Sequence, residues 1–426
     1  MKSTEDQDIG MPAPVSARRE SLLILLGAFV VAWLRSPLLL FHGRVVMEEG
    51  THYLQKGLDS SAISAFLALH VGYYSLLMNL LGLILARVVP LEWAAVGYTT
   101  ASLGILLLTV YLAVTCEEFH DTQTRALAAA VCLLTPSIEV WLTAEDAQFY
   151  LAACTALICI SSEHRHRLLR GATLLLAGLS GPASCIFAPF FLWRAFRRRT
   201  RDAAVQAAIL VLCALTEAAL VLSSVHAGRR PVAGLHKLEW FGPVIFLKIF
   251  SVTFFTRLGA FLSQRLAIHH ANAAVFLLLW IATLLSLWLF WRLAQSAGTA
   301  GRMCFGMATV SLVFNYVGIP ESLDVILIGA FRYFFTGFFL YWMVLLLAYA
   351  HTREAAPSLN FKLARGLLAF ALIVGLAESV GYWTRFQKNG PYWRTEVAAW
   401  RADPAHPIQV WPATWPYKVH PPAPPR

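Results

Sequence analysis

Residues 171–193 read GATLLLAGLSGPASCIFAPFFLW, a stretch without a single Asp, Glu, Lys or Arg. An uncharged run of about 18 residues or more predicts a transmembrane helix. Arginines flank it on both sides, with three in residues 163–170 and five in residues 194–201. Because basic turns stay on the cytoplasmic side of a membrane, both ends are expected there. Gly181-Pro182 interrupts the run midway, which favours two short half-spans over a single crossing.

Similar uncharged runs recur along the chain, at residues 93–116 and 271–291 and, somewhat shorter, at 147–162, 303–320 and 333–350. Of the 426 residues, 58% are hydrophobic and 14% are charged, whereas soluble globular proteins have about 45–50% and about 25%. In lipid the backbone must satisfy its own hydrogen bonds, so these runs predict helices. The sequence therefore predicts an all-α polytopic membrane protein with about eleven transmembrane helices, counting both halves of the broken pair.

The basic residues also predict the topology. Arg18 and Arg19 make residues 1–20 a cytoplasmic tail before a transmembrane body at 21–384. The arginine-rich turns are cytoplasmic only if residues 60–86 do not cross and instead recline along the outer leaflet. The remaining tail, 385–426, is rich in Trp and Pro and is expected outside. The expected outer loops are residues 42–92, 142–148, 226–270 and 320–332.

Other features of the sequence argue against several kinds of function. The net charge of +10 resides largely in short turns, so no nucleic-acid partner is expected. The seven cysteines lie in or beside apolar runs without metal-ligand spacing, and no disulfide framework is visible. No Walker loop, Rossmann glycine pattern or Gly-x-Ser-x-Gly elbow occurs, which argues against ATP-driven transport within this chain and against hydrolases of that type.

Acidic residues occur in two of the outer loops. Glu48 and Glu49 follow the first predicted span, and Glu145 and Asp146 occupy the second outer loop. A carboxylate there can accept a proton from a hydroxyl group or hold a divalent cation. Glu49 is preferred over Glu48 as a base, because the neighbouring Gly50 leaves room for a substrate. The alternatives are a solvated interfacial pair at Glu48-Glu49 and a helix end in water at Glu145-Asp146.

Basic residues on the same side predict an anion site. Arg332, next to Tyr333, opens a predicted span, while Lys237 and Arg257 lie in the long outer segment. An arginine can grip a phosphate through two parallel hydrogen bonds. The alternative for Arg332 is an interaction with lipid headgroups at the membrane surface.

This plan resembles the integral-membrane glycosyltransferases of the GT-C superfamily, among them protein O-mannosyltransferases and the aminoarabinose transferases that modify lipid A. Glu48-Glu49 matches the position of the first acidic motif in these enzymes, and Glu145-Asp146 matches the second-loop position. Glu-Glu and Glu-Asp stand where the family has Asp-x-Asp or Asp-Glu. Short motifs resemble uncharacterised bacterial membrane proteins of this type: Gly72-Tyr73-Tyr74, Val140-Trp141, residues 147–150, residues 178–182 and Arg332-Tyr333.

The resemblance implies a bacterial inner-membrane enzyme that transfers a sugar from a polyprenyl-phosphate donor to a glycan, lipid or protein acceptor. Glu48 or Glu49 would be the catalytic base, and Glu49 with Asp146 would hold any divalent cation, Mg²⁺ or Mn²⁺. The residues expected to bind substrate are Arg332, Tyr333, Glu145, Asp146, Gln148, His70, Tyr73, Tyr74, Lys237 and Arg257. Two other functions stay open: a transporter or flippase for a lipid-linked sugar, and a non-catalytic scaffold of an envelope complex.

Overall fold

The computed structural model describes residues 15–136, 139–161, 166–228, 239–251, 261, 265, 273–318, 331–353, 358–382 and 390–422. Helices make up nearly all of the regular structure in these residues, which confirms the all-α prediction. The helices of the first half are α1 (Val15–Arg35), α2 (Pro37–His42), α3 (Gln55–Asp59), α4 (Ala62–Phe66), α5 (Leu76–Arg87), α6 (Ala94–Val114), α7 (Thr122–Leu134), α8 (Ala147–Ile160), α9 (Arg167–Gly178), α10 (Pro182–Cys185) and α11 (Ala188–Arg198).

The second half is built in the same way. Its helices are α12 (Arg201–His226), α13 (Phe241–Ile245), α14 (Ala273–Ser296), α15 (Gly298–Gly318), α16 (Phe331–Thr352), α17 (Leu359–Tyr382) and α18 (Trp393–Ala402). Wider π-helical turns occupy Glu49–Leu54 and Phe246–Ser251, and Leu91–Trp93 forms a 3-10 turn before α6. Two short antiparallel hairpins join β1 (Leu69–His70) to β2 (Tyr73–Tyr74) and β3 (Ile408–Gln409) to β4 (Lys418–Val419).

Five of the described helices are long and apolar enough to cross a membrane, and the bent pair α9–α11 makes six if it counts as one span. The five are Leu91–Val114, Arg201–His226, Ala273–Ser296, Phe331–Thr352 and Leu359–Ser379. A membrane protein is thus supported, while the number of eleven crossings stays a prediction.

Some predicted crossings are short or bent. The runs at 126–141 and 149–162 correspond to α7 and α8, with 13 and 14 residues, below the about 17–25 of an ordinary span. Helix α7 stops at Leu134 because the next residue, Thr135, precedes a proline and is held extended. The first predicted span, 21–41, breaks at Ser36 between α1 and α2.

The uncharged segment 60–86 does not form one long helix. It is divided into the five-residue α4, the β1–β2 hairpin and the twelve-residue α5. None of these elements is long enough to cross a bilayer by itself. Its position along the outer leaflet remains a prediction.

The break predicted at Gly181-Pro182 is present. Helices α9 and α10–α11 meet there with a change in direction of 118°. Gly181 adopts φ +115°, a conformation open to glycine, and Pro182 begins α10 without needing a backbone N–H. The bend returns the chain partly towards the side from which it came, as a re-entrant pair requires.

Helix α16 is the centre of the bundle. Its most apolar window is 89% buried, whereas that of α14 is only 11% buried. Helices α7, α8, α14, α15 and α17 pack against α16. The apolar side chains of α14 that remain exposed, such as Leu277 and Leu278, suit contact with lipid. The N-terminus of the buried central helix lies at the candidate site described below.

The C-terminal segment folds back onto the loop that follows α2. Val410 and Val419 are buried together with Val45, and the Trp393 indole donates a hydrogen bond to the Leu91 carbonyl at 2.6 Å. A short parallel bridge pairs Val46 with Trp411. These contacts build a second small core that fixes the loop carrying Glu48 and Glu49.

Candidate functional site

A cavity of about 280 Å³ lies where the loop after α2, the β1–β2 hairpin, the N-terminus of α8 and the start of α16 converge. Pro182 at the helix break and Asn315 of α15 complete part of its wall. Eight residues singled out from the sequence line the cavity: Glu48, His70, Tyr73, Glu145, Asp146, Gln148, Arg332 and Tyr333. Segments far apart in the chain thus bring both acidic loops and the predicted anion-binding arginine to one place.

The carboxylates and one imidazole form a compact cluster. One oxygen of Glu48, one nitrogen of His70 and one oxygen of Glu145 lie within 4.8 Å of one another. One carboxylate oxygen of Glu48, Oε2, is buried and has no hydrogen-bond partner among the described residues. A buried carboxylate oxygen without a donor is costly, so it is a position where a ligand group gains binding energy.

Arg332 supplies positive charge to the cavity. Its guanidinium lies 5.2 Å from the centre of the Tyr333 ring and is attracted by the Asp146, Glu145 and Glu139 carboxylates. The backbone N–H of Arg332 donates to Glu139 Oε2 at 3.1 Å. Asn315, which sequence analysis missed, donates to the Tyr333 carbonyl at 2.6 Å. The start of α16 is therefore held from two sides.

Burial reduces the negative charge of the cavity. It raises the pKa of Asp146 to about 7, against the opposing effect of the Arg332 guanidinium. The pKa of Glu145 lies well above its ordinary value, because of burial and because the Glu48 and Asp146 carboxylates are close. Near neutral pH the cavity can therefore carry less negative charge than three ionised carboxylates would give it.

Glu49 faces away from this cavity. Its side chain accepts hydrogen bonds from the backbone N–H groups of Val46 at 2.8 Å, Ala144 at 2.7 Å and Glu145 at 3.2 Å. Burial raises its pKa to about 7, although these hydrogen bonds and Arg44 lower it. Glu49 thus ties the first acidic loop to the second, and its carboxylate is saturated by the protein itself.

The room expected beside Gly50 is filled. A methyl group at Gly50 would lie 2.5 Å from Val410 Cγ1 and 2.9 Å from Val45 Cγ1. The missing side chain therefore permits the C-terminal segment to pack against this loop. Gly50 therefore leaves no room for a substrate beside Glu49, which was the reason to prefer Glu49 over Glu48 as the base.

The start of α5, just after the β1–β2 hairpin, is tied to the helix break. Leu76 N–H donates to the Leu179 carbonyl at 2.7 Å, and Leu77 N–H donates to Ser180 Oγ at 3.1 Å. Tyr73 points into the cavity, while the Tyr74 backbone N–H donates to Glu217 Oε2 at 3.2 Å. Tyr74 is thus beside the site rather than among the residues that line it. The β1–β2 hairpin and the broken pair form one support.

Gly181 has a second role at the cavity. A Cβ at this position would collide with Gln148 Oε1, so only glycine lets that amide approach. Gln148 in turn lies beside Tyr73, whose pKa is raised by burial and by Glu145. The Gly-Pro break therefore positions two cavity side chains as well as bending the helix.

Backbone strain concentrates around the cavity. Met47, Val71 and Leu142 have φ values of 33°, 48° and 51°, in the left-handed region that side chains disfavour. Met47 directly precedes Glu48, Val71 lines the cavity, and Leu142 lies in the loop before Glu145. Such conformations cost about 1–3 kcal/mol each and cluster at functional sites.

The donor atoms of Glu48, His70 and Glu145 fit a divalent cation, since two carboxylates and an imidazole are common ligands of Mn²⁺ and Zn²⁺. Burial lowers the pKa of His70, which favours the neutral imidazole that a metal requires. Of the two predicted metal ligands, Asp146 lines the cavity and Glu49 does not. Lys237 and Arg257 lie outside the described residues.

A second cavity of about 620 Å³ adjoins the first and shares Glu48 and His70 with it. Its far wall comes from the C-terminal segment, including Trp415 and Tyr417. His52, which sequence analysis also missed, lines this cavity; burial and the nearby His70 lower its pKa to about 4. Glu48 therefore stands between two open spaces.

Comparisons of the chain with protein-family models, with curated proteins and with solved structures found no match.

Proposed function

We propose that this protein is a membrane glycosyltransferase that moves a sugar from a polyprenyl-phosphate donor to a hydroxyl group of an acceptor. The observation that carries the proposal is the position of Glu48 between two cavities, one of which also contains Arg332. An enzyme that joins two substrates needs a base where they meet and a cation where the leaving group departs.

The donor is assigned to the cavity with Arg332. The guanidinium can hold the donor phosphate through two hydrogen bonds and can stabilise the charge that grows on it. Asn315 and Glu139 hold the backbone around Arg332, so the position of this side chain depends on α15 as well as on α16. The exposed apolar helices around the bundle give the polyprenyl chain access from lipid.

Glu48 is assigned as the base. As the acceptor oxygen attacks the anomeric carbon, Glu48 takes its proton, a new C–O bond forms, and the bond between that carbon and the phosphate oxygen breaks. The bonding electrons leave with the polyprenyl phosphate next to Arg332. A single displacement of this kind inverts the configuration at the anomeric carbon. Glu49 is assigned a supporting role, because its oxygens already accept backbone N–H groups.

A divalent cation would be held by Glu48, His70 and Glu145, one ligand atom from each. Such a cation would add positive charge near the leaving phosphate. Each carboxylate has two oxygens, so Glu48 keeps one to accept the proton of the acceptor. The raised pKa of Asp146 limits the repulsion that an incoming phosphate meets.

We also propose the topology of eleven crossings, with the N-terminus in the cytoplasm of a bacterium and the site on the outer side of the inner membrane. The bend of 118° at Gly181-Pro182 supports it, since the basic ends of the pair then lie towards one side. Cysteine labelling tests this assignment. Leu91→Cys should react from outside the cell and Thr200→Cys only from inside, and the reverse pattern would overturn the assignment.

A transporter or flippase for a lipid-linked sugar is the second candidate, because a bent, interrupted helix pair beside a polar cavity is typical of transporters. Pro182 of that pair lines the cavity. The two functions differ in chemistry: only the transferase breaks the bond between sugar and phosphate.

The test is therefore the fate of a labelled donor. Purified protein in liposomes receives decaprenyl-phosphate mannose and, separately, other polyprenyl-phosphate sugars, each labelled in the sugar, together with mixed oligosaccharide acceptors. The proposal expects the label to leave the lipid and to appear on the acceptor. Movement of intact donor between leaflets, without bond cleavage, would favour the transporter instead.

A further inference from the structure

The second cavity is walled by the loop after α2 and by the C-terminal segment, which is firmly attached. Gln55 and His420 exchange two hydrogen bonds, from Gln55 Nε2 to the His420 carbonyl at 2.8 Å and from His420 N–H to Gln55 Oε1 at 2.7 Å. Trp411 N–H donates to the Val45 carbonyl at 2.8 Å. A wall fixed in this way costs little ordering entropy when a ligand binds.

The wall presents aromatic surface. Trp415 and Tyr417 lie with ring centres 6.0 Å apart and planes at 66°, and the Tyr417 side chain is 65% exposed. Such rings offer apolar faces of the size of a sugar ring, with polar edges. Lys418 and His420 add hydrogen-bond donors at the rim of the cavity.

Three buried polar atoms of cavity-lining residues have no hydrogen-bond partner among the described residues: Trp415 Nε1, His52 Nε2 and Glu48 Oε2. The indole N–H can only donate, the ionised carboxylate can only accept, and a neutral imidazole does either. A ligand with several neighbouring hydroxyl groups suits all three of these residues, since each hydroxyl both donates and accepts. A peptide offers a hydroxyl only at single residues.

We propose that this cavity is the acceptor site and that the acceptor is a saccharide. The role of this saccharide as the acceptor rests on the proposed function, whereas the binding of a saccharide is inferred from the cavity itself. A saccharide hydroxyl that reaches the Glu48 carboxylate would meet the donor sugar arriving from the neighbouring cavity, because Glu48 lines both. The C-terminal segment then selects the acceptor, while the helical bundle holds the donor.

The chain offers a matched pair of variants for the test. Tyr417 lines the cavity and is 65% exposed, and Tyr392 belongs to the same segment, is 61% exposed and does not line it. Because both side chains are largely exposed, Tyr417→Ala and Tyr392→Ala should both fold. The labelled full-length protein in lipid nanodiscs is applied, without any donor, to an array of printed oligosaccharides and of Ser- and Thr-containing peptides.

The wild type and Tyr392→Ala should be retained on a subset of the oligosaccharides, and Tyr417→Ala should bind these about tenfold more weakly. Equal binding by the two tyrosine variants, retention on peptides alone, or no retention would overturn the proposal. Oligosaccharide binding that depends on Tyr417, without transfer from any labelled donor, would support the saccharide site and overturn the transferase.

Discussion

The loop after α2 has two faces that behave in opposite ways. On one face, Glu48 borders two cavities and keeps a buried oxygen without a hydrogen-bond partner among the described residues. On the other, Glu49 accepts three backbone N–H groups from two loops and is only 1% exposed. The two neighbouring glutamates therefore have different roles. The Glu49 carboxylate, whose hydrogen bonds are all made within the protein, supports the fold, and the Glu48 carboxylate is available to a substrate.

The largest expected effect follows from substituting Glu48. Glu48→Gln keeps the shape of the side chain but removes its ability to accept a proton, so turnover should fall by about 10²–10⁴-fold. The melting temperature should change little. The assay is single-turnover transfer from the labelled donor. Glu92→Gln is the control, because it only weakens an ion pair with the partly exposed Arg401.

Arg332→Lys tests the cation that lines the same cavity as Glu48. Lysine keeps the charge but loses the planar pair of donors, so kcat/KM for the donor should fall by about 10–100-fold. Arg302→Lys, at an exposed arginine of α15, is the matched control. Unchanged donor kinetics in Arg332→Lys would favour the lipid-headgroup role for this residue.

Glu49→Gln tests the structural role of the hydrogen bonds that Glu49 accepts. The amide NH₂ would point at a backbone N–H and break at least one of the three hydrogen bonds, which should cost about 1–3 kcal/mol of stability. The expected result is a lower melting temperature of the purified protein, with turnover per folded molecule reduced far less than in Glu48→Gln. A stable but inactive Glu49→Gln would reverse the roles of the two residues.

The smallest expected effect concerns the helix break that supports the cavity. Gly181→Ala places a Cβ at φ +115° and against Gln148, so stability should fall by about 1–2 kcal/mol. Gly171→Ala in α9 is the control, since its Cβ would make only ordinary contact with Ile209 at 3.7 Å. That control should be neutral or slightly stabilising. Equal melting temperatures for both variants would remove the special role of Gly181.

The sequence predicted those features that local composition controls. Uncharged runs indicated the apolar helices, and Gly181-Pro182 indicated the break, because each depends on the residues at that place. The acidic pairs and Arg332 were also found, since ionisable groups at the ends of apolar runs are rare and conspicuous. Their convergence on one cavity agrees with the expectation that both acidic loops form one site.

The remaining features depend on long-range packing. Nothing in Glu48-Glu49 tells which side chain faces the cavity, because the left-handed turn at Met47 and the π-helical turn at Glu49–Leu54 decide it. The role of Gly50 depends on Val410, which is 360 residues later in the chain. For the same reason Trp415 and Tyr417 could not be recognised as part of a cavity from the tail sequence alone.

Chemical rescue tests directly whether Glu48 is the base. Glu48→Ala leaves a gap next to a cavity of about 280 Å³, in which formate can replace the missing carboxylate. Formate should restore part of the transfer rate in Glu48→Ala and should not restore it in Glu49→Ala. A Glu48→Ala variant that transfers sugar at the wild-type rate, or formate rescue confined to Glu49→Ala, would contradict the assignment of Glu48 as the base.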